Sequence, residues 1–373
     1  MTIYVLLILY IWLISNTKIS KNLKVVLIFG PIMFISAFRD QSVGNDVKHY
    51  VTIFQTISER EWGNLLYTKH LEIGFAVYCK LLSCVSTNTQ FFVGFSSCII
   101  CYYIAKTISN YSYDVGLSSF LFVTQYYLFF SFSAVRQYMA LSLIFYALNL
   151  YIHGKGKKSI PYFLFAFSLH YTAFIIVPLL ILVKFKINKR NIFMLIVSVV
   201  LIGLSYKSIF YNIINSFDRF SYYQYYDLTA SGRGWDINIV LYIIHAIVIA
   251  FAISVLNQYM REYKENKYIE HLRFSNQLEL IYEVREYSEI FSYMICIVFS
   301  LGLNLASVVM GSAARMCQYF FVFMILDIPL LLRYLHGKNK ILIRMAVEVM
   351  FIIYCILMLS HNNYYVVPYS FCF

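Results

Sequence analysis

The chain has 373 residues, 61% of them hydrophobic and 13% charged, with a formal net charge of +12. Soluble domains carry about 25% charged residues, so the composition excludes a soluble globular protein and predicts an all-α polytopic integral membrane protein. The positive charge does not point to nucleic acid, because the cations fall in short clusters between apolar blocks (KISKNLK, HGKGKK, KFKINKR), the pattern of cytoplasmic loops.

The N-terminal stretch MTIYVLLILYIWLIS has no basic n-region and no small-residue cleavage site, so it reads as a retained first span. A helix crosses a core of ~30 Å with ~20 residues. Apolar runs of that order predict spans near 2–15, 24–38, 90–107, 116–131, 133–152, 191–209, 237–257, 287–309, 316–333 and 341–360. They lack the alternating ten-residue pattern of an outer-membrane barrel. The stretch 71–85 is short and carries Glu72 and Lys80, which predicts a periplasmic interfacial helix. Residues 160–183 are basic at both ends, so the chain should leave and return on one side as two short helices, with the break at SLHYT and His170 at the turn. The total is about 12 transmembrane helices in a single integral domain over residues 1–373. Periplasmic segments are expected at about 39–89 and 210–236, and a charged cytoplasmic connection at about 258–286. About two-thirds of the 30 lysines and arginines then lie on the cytoplasmic side. The pair Cys98 and Cys101 in CIIC sits inside an apolar segment with no neighbouring cation to hold a thiolate, and reads as packing.

One residue stands out in this order. Between Gly116 and Ile152, Arg136 is the only charge. An arginine at mid-bilayer costs ~2.5–3.5 kcal/mol on insertion scales. A break at SFSA, with Ser133 capping the following helix, instead puts Arg136 in the first turn near the outer surface. The plain alternative is an arginine snorkelling at a helix end.

Other polar residues are expected on the same face. They are Arg39, Asp46 and Tyr50 in FRDQSVGNDVKHY, Glu72, Gln137, His170, and Arg315 in GSAARMCQYF. The Tyr-rich stretch 216–236 adds Arg219, Arg233 and Tyr222. Arginine's planar fork suits bidentate capture of phosphate or carboxylate, whereas topology needs only positive charge. No HExxH, P-loop, G-x-S-x-G or dinucleotide fingerprint is present, so neither metal nor cofactor is expected. Each residue also has a bland reading. Asp46 can fix a turn after Gly44 and Asn45, Glu72 can complement a helix dipole, His170 can satisfy a helix break, and the tyrosines can form an interfacial belt. Asp327 is expected to be structural, and Arg344 with Glu348 an i,i+4 pair.

The order R-x4-G-x-D-x3-Y (Arg39, Gly44, Asp46, Tyr50), E-x-G-F (Glu72, Gly74, Phe75), RQ-x2-A (Arg136, Gln137, Ala140) and H-x2-A (His170, Ala173) resembles the EpsG family. These are Wzy-type polymerases of O antigens, capsules and exopolysaccharides; Arg315 with Tyr319 and Phe320 is similar to the family's late arginine motif. The resemblance implies a metal-independent glycosyltransferase at the periplasmic face of the bacterial inner membrane. Its substrate would be undecaprenyl-pyrophosphate-linked oligosaccharide, and its partners a flippase and a chain-length regulator of the same pathway. Arginines would face the leaving pyrophosphate, and His170, Asp46 or Glu72 would supply the base, in that order of preference. The rival readings are another glycosyl- or acyltransferase of surface glycans, and a lipid-linked oligosaccharide flippase.

Overall fold

The computed structural model describes residues 1–67, 71–183, 235–270, 277–308 and 311–373, with scattered positions between 197 and 212. Among these residues the chain is helical, apart from one isolated antiparallel bridge between Arg39 and Phe371. The helices are α1 (Thr2–Ser15), α2 (Lys21–Ala37), α3 (Val47–Glu59), α4 (Ile73–Ser83), α5 (Thr89–Tyr111), α6 (Val115–Thr124), α7 (Tyr127–Ser133) and α8 (Val135–Ile152). They continue as α9 (Gly156–Leu169), α10 (Val177–Leu182), α11 (Trp235–Glu270), α12 (Gln277–Ala306), α13 (Gly311–Phe321), α14 (Met324–Leu331) and α15 (Gly337–Ser360). Polar caps start several of them. Asn88 accepts from the Gln90 and Phe91 amides at α5, and Asp114 accepts from Leu117 at α6.

Among the described residues, four helices are long and apolar enough to cross a membrane, or up to six if each bent pair is one span. The bent pairs are α6–α7, turned by 48°, and α13–α14 with its short continuation to Tyr334, turned by 44°. The outer face of α15 shows how such helices meet lipid. Ile341, Met345, Val349, Ile353 and Ile356 form an exposed stripe at helical spacing, a face that only a hydrocarbon solvent tolerates. The protein is a multi-pass membrane protein, all-helical among the described residues apart from that bridge.

The described chain packs as two compact units. The first holds residues 1–149, 157–175 and 344–373. There α1 lies along α6 and α2 along α5. The α1–α6 crossing is close because Gly116 has no side chain: a Cβ there would lie 2.8 Å from Ser15 Cα, and the Ser15 hydroxyl donates to the Gly116 carbonyl at 2.9 Å. Arg344 pairs with Glu348 at 2.9 Å, as the i,i+4 spacing predicts, and also reaches Asp114 at 2.8 Å. The second unit holds residues 150–156 and 176–343, with α12 packed on α11 and α13. Its charged elements include a buried His153–Glu289 pair at 2.8 Å.

Three expectations need correction or extension. The run 116–152 does break at SFSA, between α7 and α8, but a second break at Gln125–Tyr126 splits the preceding span, with Tyr126 left-handed at φ 72°. Ser133 does not cap α8, since its hydroxyl accepts from the Asn45 amide at 2.7 Å and donates to the Tyr364 carbonyl at 3.0 Å. The charged stretch 258–286 is largely helical, because α11 runs on to Glu270 and α12 begins at Gln277. Cys98 and Cys101 are both free thiols, in line with packing. Asp327 is fully buried in α14, and neither carboxylate oxygen has a hydrogen-bond partner among the described residues.

Candidate functional site

Three residues far apart in the sequence meet in the first unit. Glu72 immediately precedes α4, Arg136 lies in the first turn of α8, and His170 follows the last residue of α9. Each sits at a helix end, where the backbone turns and a side chain can reach across to its neighbours. Arg136 Nη1 donates to Glu72 Oε2 at 2.5 Å. His170 Nδ1 lies 2.7 Å from Glu72 Oε1, which also accepts from the Tyr171 amide at 3.4 Å.

Exposure orders the three. The Glu72 side chain is 3% exposed, while Arg136 retains 17% and His170 14%. The carboxylate is therefore the buried keystone, and the two cationic or basic groups stand in front of it. Burial by itself would raise the Glu72 pKa, but the hydrogen bond from His170 and the charges of His170 and Arg136 outweigh it and hold the carboxyl at about 2. A carboxylate accepts and cannot donate, so His170 Nδ1 carries a proton in both the charged and the neutral ring, and in the neutral ring Nε2 is the basic nitrogen.

The Arg136 guanidinium is backed by aromatic faces, 5.4 Å from the Tyr50 ring centre and 5.6 Å from that of Phe75. This accounts for two more positions of the sequence motifs. Tyr50 is buried one turn into α3, and its amide bonds the Asp46 carbonyl, so Asp46 stands at the start of the helix whose ring supports Arg136. Asp46 is half-buried. Gly74 explains itself by contact: a Cβ there would lie 2.2 Å from Ser168 Oγ and 2.6 Å from the Ser168 carbonyl. Only glycine lets α4 approach the end of α9 closely enough for Glu72 to reach His170.

Not every expected residue joins this cluster. Arg39 is 1% exposed, and its guanidinium is engaged inside the fold by the Ser36 carbonyl, the Ser97 hydroxyl at 2.6 Å and the Phe132 carbonyl at 3.4 Å, with the Phe132 ring 4.7 Å away. Gln137 is buried next to Arg136 on α8. Arg315 lies half-buried on α13 of the second unit, ahead of the buried Tyr319 and Phe320. Arg219, Tyr222 and Arg233 lie outside the described residues. Among the described residues no three His, Cys, Asp or Glu side chains cluster as metal ligands. Sequence reading missed the pivotal role of Glu72 as the group that binds both Arg136 and His170; separations of 64 and 98 residues leave no local pattern to read.

The arrangement offers an imidazole base oriented by a carboxylate, beside a guanidinium at a helix end. That combination suits proton abstraction from a hydroxyl next to a developing anion. No curated protein and no solved structure matches the chain. The EpsG family model matches residues 22–371, a span that contains every motif quoted above. The chain belongs to the EpsG family.

Proposed function

We propose that this protein polymerises surface polysaccharide, joining undecaprenyl-pyrophosphate-linked oligosaccharide repeat units into O antigen or capsule by Wzy-type glycosyl transfer. The observation that carries the reading is Glu72 bridging Arg136 and His170. An acceptor hydroxyl loses its proton to His170 Nε2 as its oxygen attacks the anomeric carbon. The bond from that carbon to the pyrophosphate breaks, and the lipid pyrophosphate leaves with the electron pair. Glu72 stabilises the imidazolium as it forms, much as a carboxylate does in a serine hydrolase triad. Arg136 binds Glu72 through Nη1, and a guanidinium's planar fork, unlike an ammonium, can present paired N–H donors to a phosphate. Asp46 remains the alternative base, while Glu72, held at about 2, is a poor proton acceptor. Arg315, Arg219, Arg233 and Tyr222 are assigned to pyrophosphate or sugar binding by sequence alone.

The same reading places the site in the periplasm. Arg136 lies in the first turn of α8 and His170 follows α9; the turn between these helices holds Lys155, and the first turn of α9 holds Lys157 and Lys158. Eighteen helical residues rise ~27 Å, close to the thickness of a bilayer core. Cations at that turn favour the cytoplasmic side, which supports a location of Arg136 and His170 at the outer leaflet of the bacterial inner membrane. In this frame the chain crosses about twelve times, and α4 is a periplasmic interfacial helix.

Deletion tests the reaction class. Chain growth should stop while export and attachment continue, leaving a single repeat unit on the surface acceptor in gel analysis of the glycan. Trapping of repeat units on the inner leaflet would indicate a flippase instead. An unchanged polymer lacking only a decoration would indicate an acyltransferase.

A further inference from the structure

The C-terminal residues after α15 form a strap across the first unit, held by backbone hydrogen bonds and by side-chain contacts. The Asn363 carbonyl accepts from Tyr126 OH at 2.9 Å, and the Val366 carbonyl from Tyr4 OH at 2.8 Å. The Tyr365 carbonyl accepts the Gly44 amide at 3.0 Å, and the Ser370 carbonyl accepts the Asp40 amide at 2.9 Å. Phe371 bridges Arg39, and the Cys372 amide donates to Phe38. The segment Phe38–Asn45, which leads into Asp46, is thus held along its length by the end of the chain.

One junction in this strap differs from the rest. The Tyr364 carbonyl accepts both the Asn45 amide at 2.9 Å and the Ser133 hydroxyl at 3.0 Å, and that hydroxyl in turn accepts from the Asn45 amide at 2.7 Å. Asn45 immediately precedes Asp46, and Ser133 lies three residues before Arg136. Backbone geometry on each side is adapted to the junction. Gly44 has φ +112°, with a would-be Cβ 2.6 Å from the Phe132 carbonyl, and Tyr364 and Tyr365 sit in the left-handed region at φ 66° and 52°. Non-glycine residues rarely adopt that conformation, and it persists only where surrounding contacts enforce it. The Tyr364 ring packs edge-on against Phe130 at 4.5 Å, which fixes the strap to α7.

We propose that Ser133 and the Tyr364 carbonyl form a positioning clamp that sets the Asp46 segment against the Arg136 segment, so that this junction of the C-terminal strap, and not the strap as a whole, positions the site. The inference rests on the functional reading above. Ser133 is a positioning residue, since it acts through Asn45 and the α7–α8 break. Misplacement of a reacting group by ~1 Å costs rate steeply, to about 10²-fold, without removing any group that binds substrate.

The test compares variants in cells that carry the chain as their sole polymerase. It reads surface-polysaccharide chain length at matched membrane abundance, together with the thermal unfolding midpoint of the purified protein. Ser133→Cys keeps the size of the side chain but bonds weakly, and Ser133→Ala removes the bonds. Both should cut long-chain product on the order of tenfold or more. Ser133→Thr retains the hydroxyl and should restore it. Tyr4→Phe deletes a strap hydrogen bond away from the junction; it should lower the midpoint at least as much while chain length stays normal. Normal chains in both Ser133→Cys and Ser133→Ala overturn the clamp. So does a loss of chain length that follows the midpoint equally in the Ser133 and Tyr4 variants, because the role is then purely structural. Arg136→Ala is the separate control: full-length chains in that variant defeat the underlying functional reading, whatever Ser133 does.

Discussion

At the scale of single residues, Arg136 and Glu72 make opposite demands on their substitutes. Arg136 gives Glu72 one hydrogen bond through Nη1, a contact that a lysine ammonium can replace. The second edge of the fork is what lysine lacks. Arg136→Lys should therefore insert and accumulate normally yet lose nearly all long chains on a polysaccharide gel; wild-type chain length would return Arg136 to a snorkelling anchor. Glu72→Gln is harsher, because it removes the charge from a 3% exposed position and with it the ion pair to Arg136. Breaking such a pair costs about 3 kcal/mol, so both the unfolding midpoint and activity should fall. Acid dependence has a definite sign. The folded Glu72 carboxyl titrates at about 2 against an ordinary 4.5, so its contribution to stability is complete above 4.5. That contribution drains away as pH falls toward 2. An acid limb of activity near neutrality therefore does not come from Glu72.

Among the elements, what the sequence made legible and what it hid divide along a physical line. Helices announce themselves by composition, so the break at His170, the short helix after Glu72 and the start of a helix just before Arg136 were all readable in advance. The motif glycines were readable as glycines but not as contacts: nothing local in E-x-G-F says that Gly74 touches Ser168, some ninety residues on. The clamp was least legible of all, because its junction acts through the Tyr364 main-chain carbonyl, a group that every residue supplies. Ser133 consequently looked like a helix cap. Close approach at Gly74 gives an element-scale prediction. Gly74→Ala must push α4 off α9, lengthening the Glu72–His170 contact, and should shorten chains severely. Gly63→Ala, where a Cβ meets nothing within 4 Å, should leave them normal. Equal behaviour of the two alanine variants on the same gel would mean that the α4–α9 spacing does not matter to the site.

For the whole molecule, the decisive quantity is which side of the bilayer each end of α8 and α9 occupies. The two helices are joined through residues 153–155, so Arg136 and His170 lie at the ends remote from that turn. Lys155, Lys157 and Lys158 concentrate positive charge there, and the positive-inside rule acts most strongly on such short loops. Burial adds an independent argument. α8 is almost entirely enclosed, with Arg136 and the last residues the partly exposed positions along it, so lipid does not dictate its placement and the flanking charges must. Reporter fusions after Asn16 and His153 should therefore read as cytoplasmic, and fusions within residues 45–60 as periplasmic. Reversing the local charge sharpens the test: Lys155→Glu with Lys157→Glu and Lys158→Glu should weaken insertion of the α8–α9 hairpin and lower abundance, whereas Lys155→Ala alone should change nothing. A cytoplasmic signal from residues 45–60 would put Asp46, and with it the base and the guanidinium, on the side where nucleotide-activated sugars are made. The acceptor and donor would then both have to be found in the cytoplasm, and an outer-leaflet polymerase would no longer be tenable.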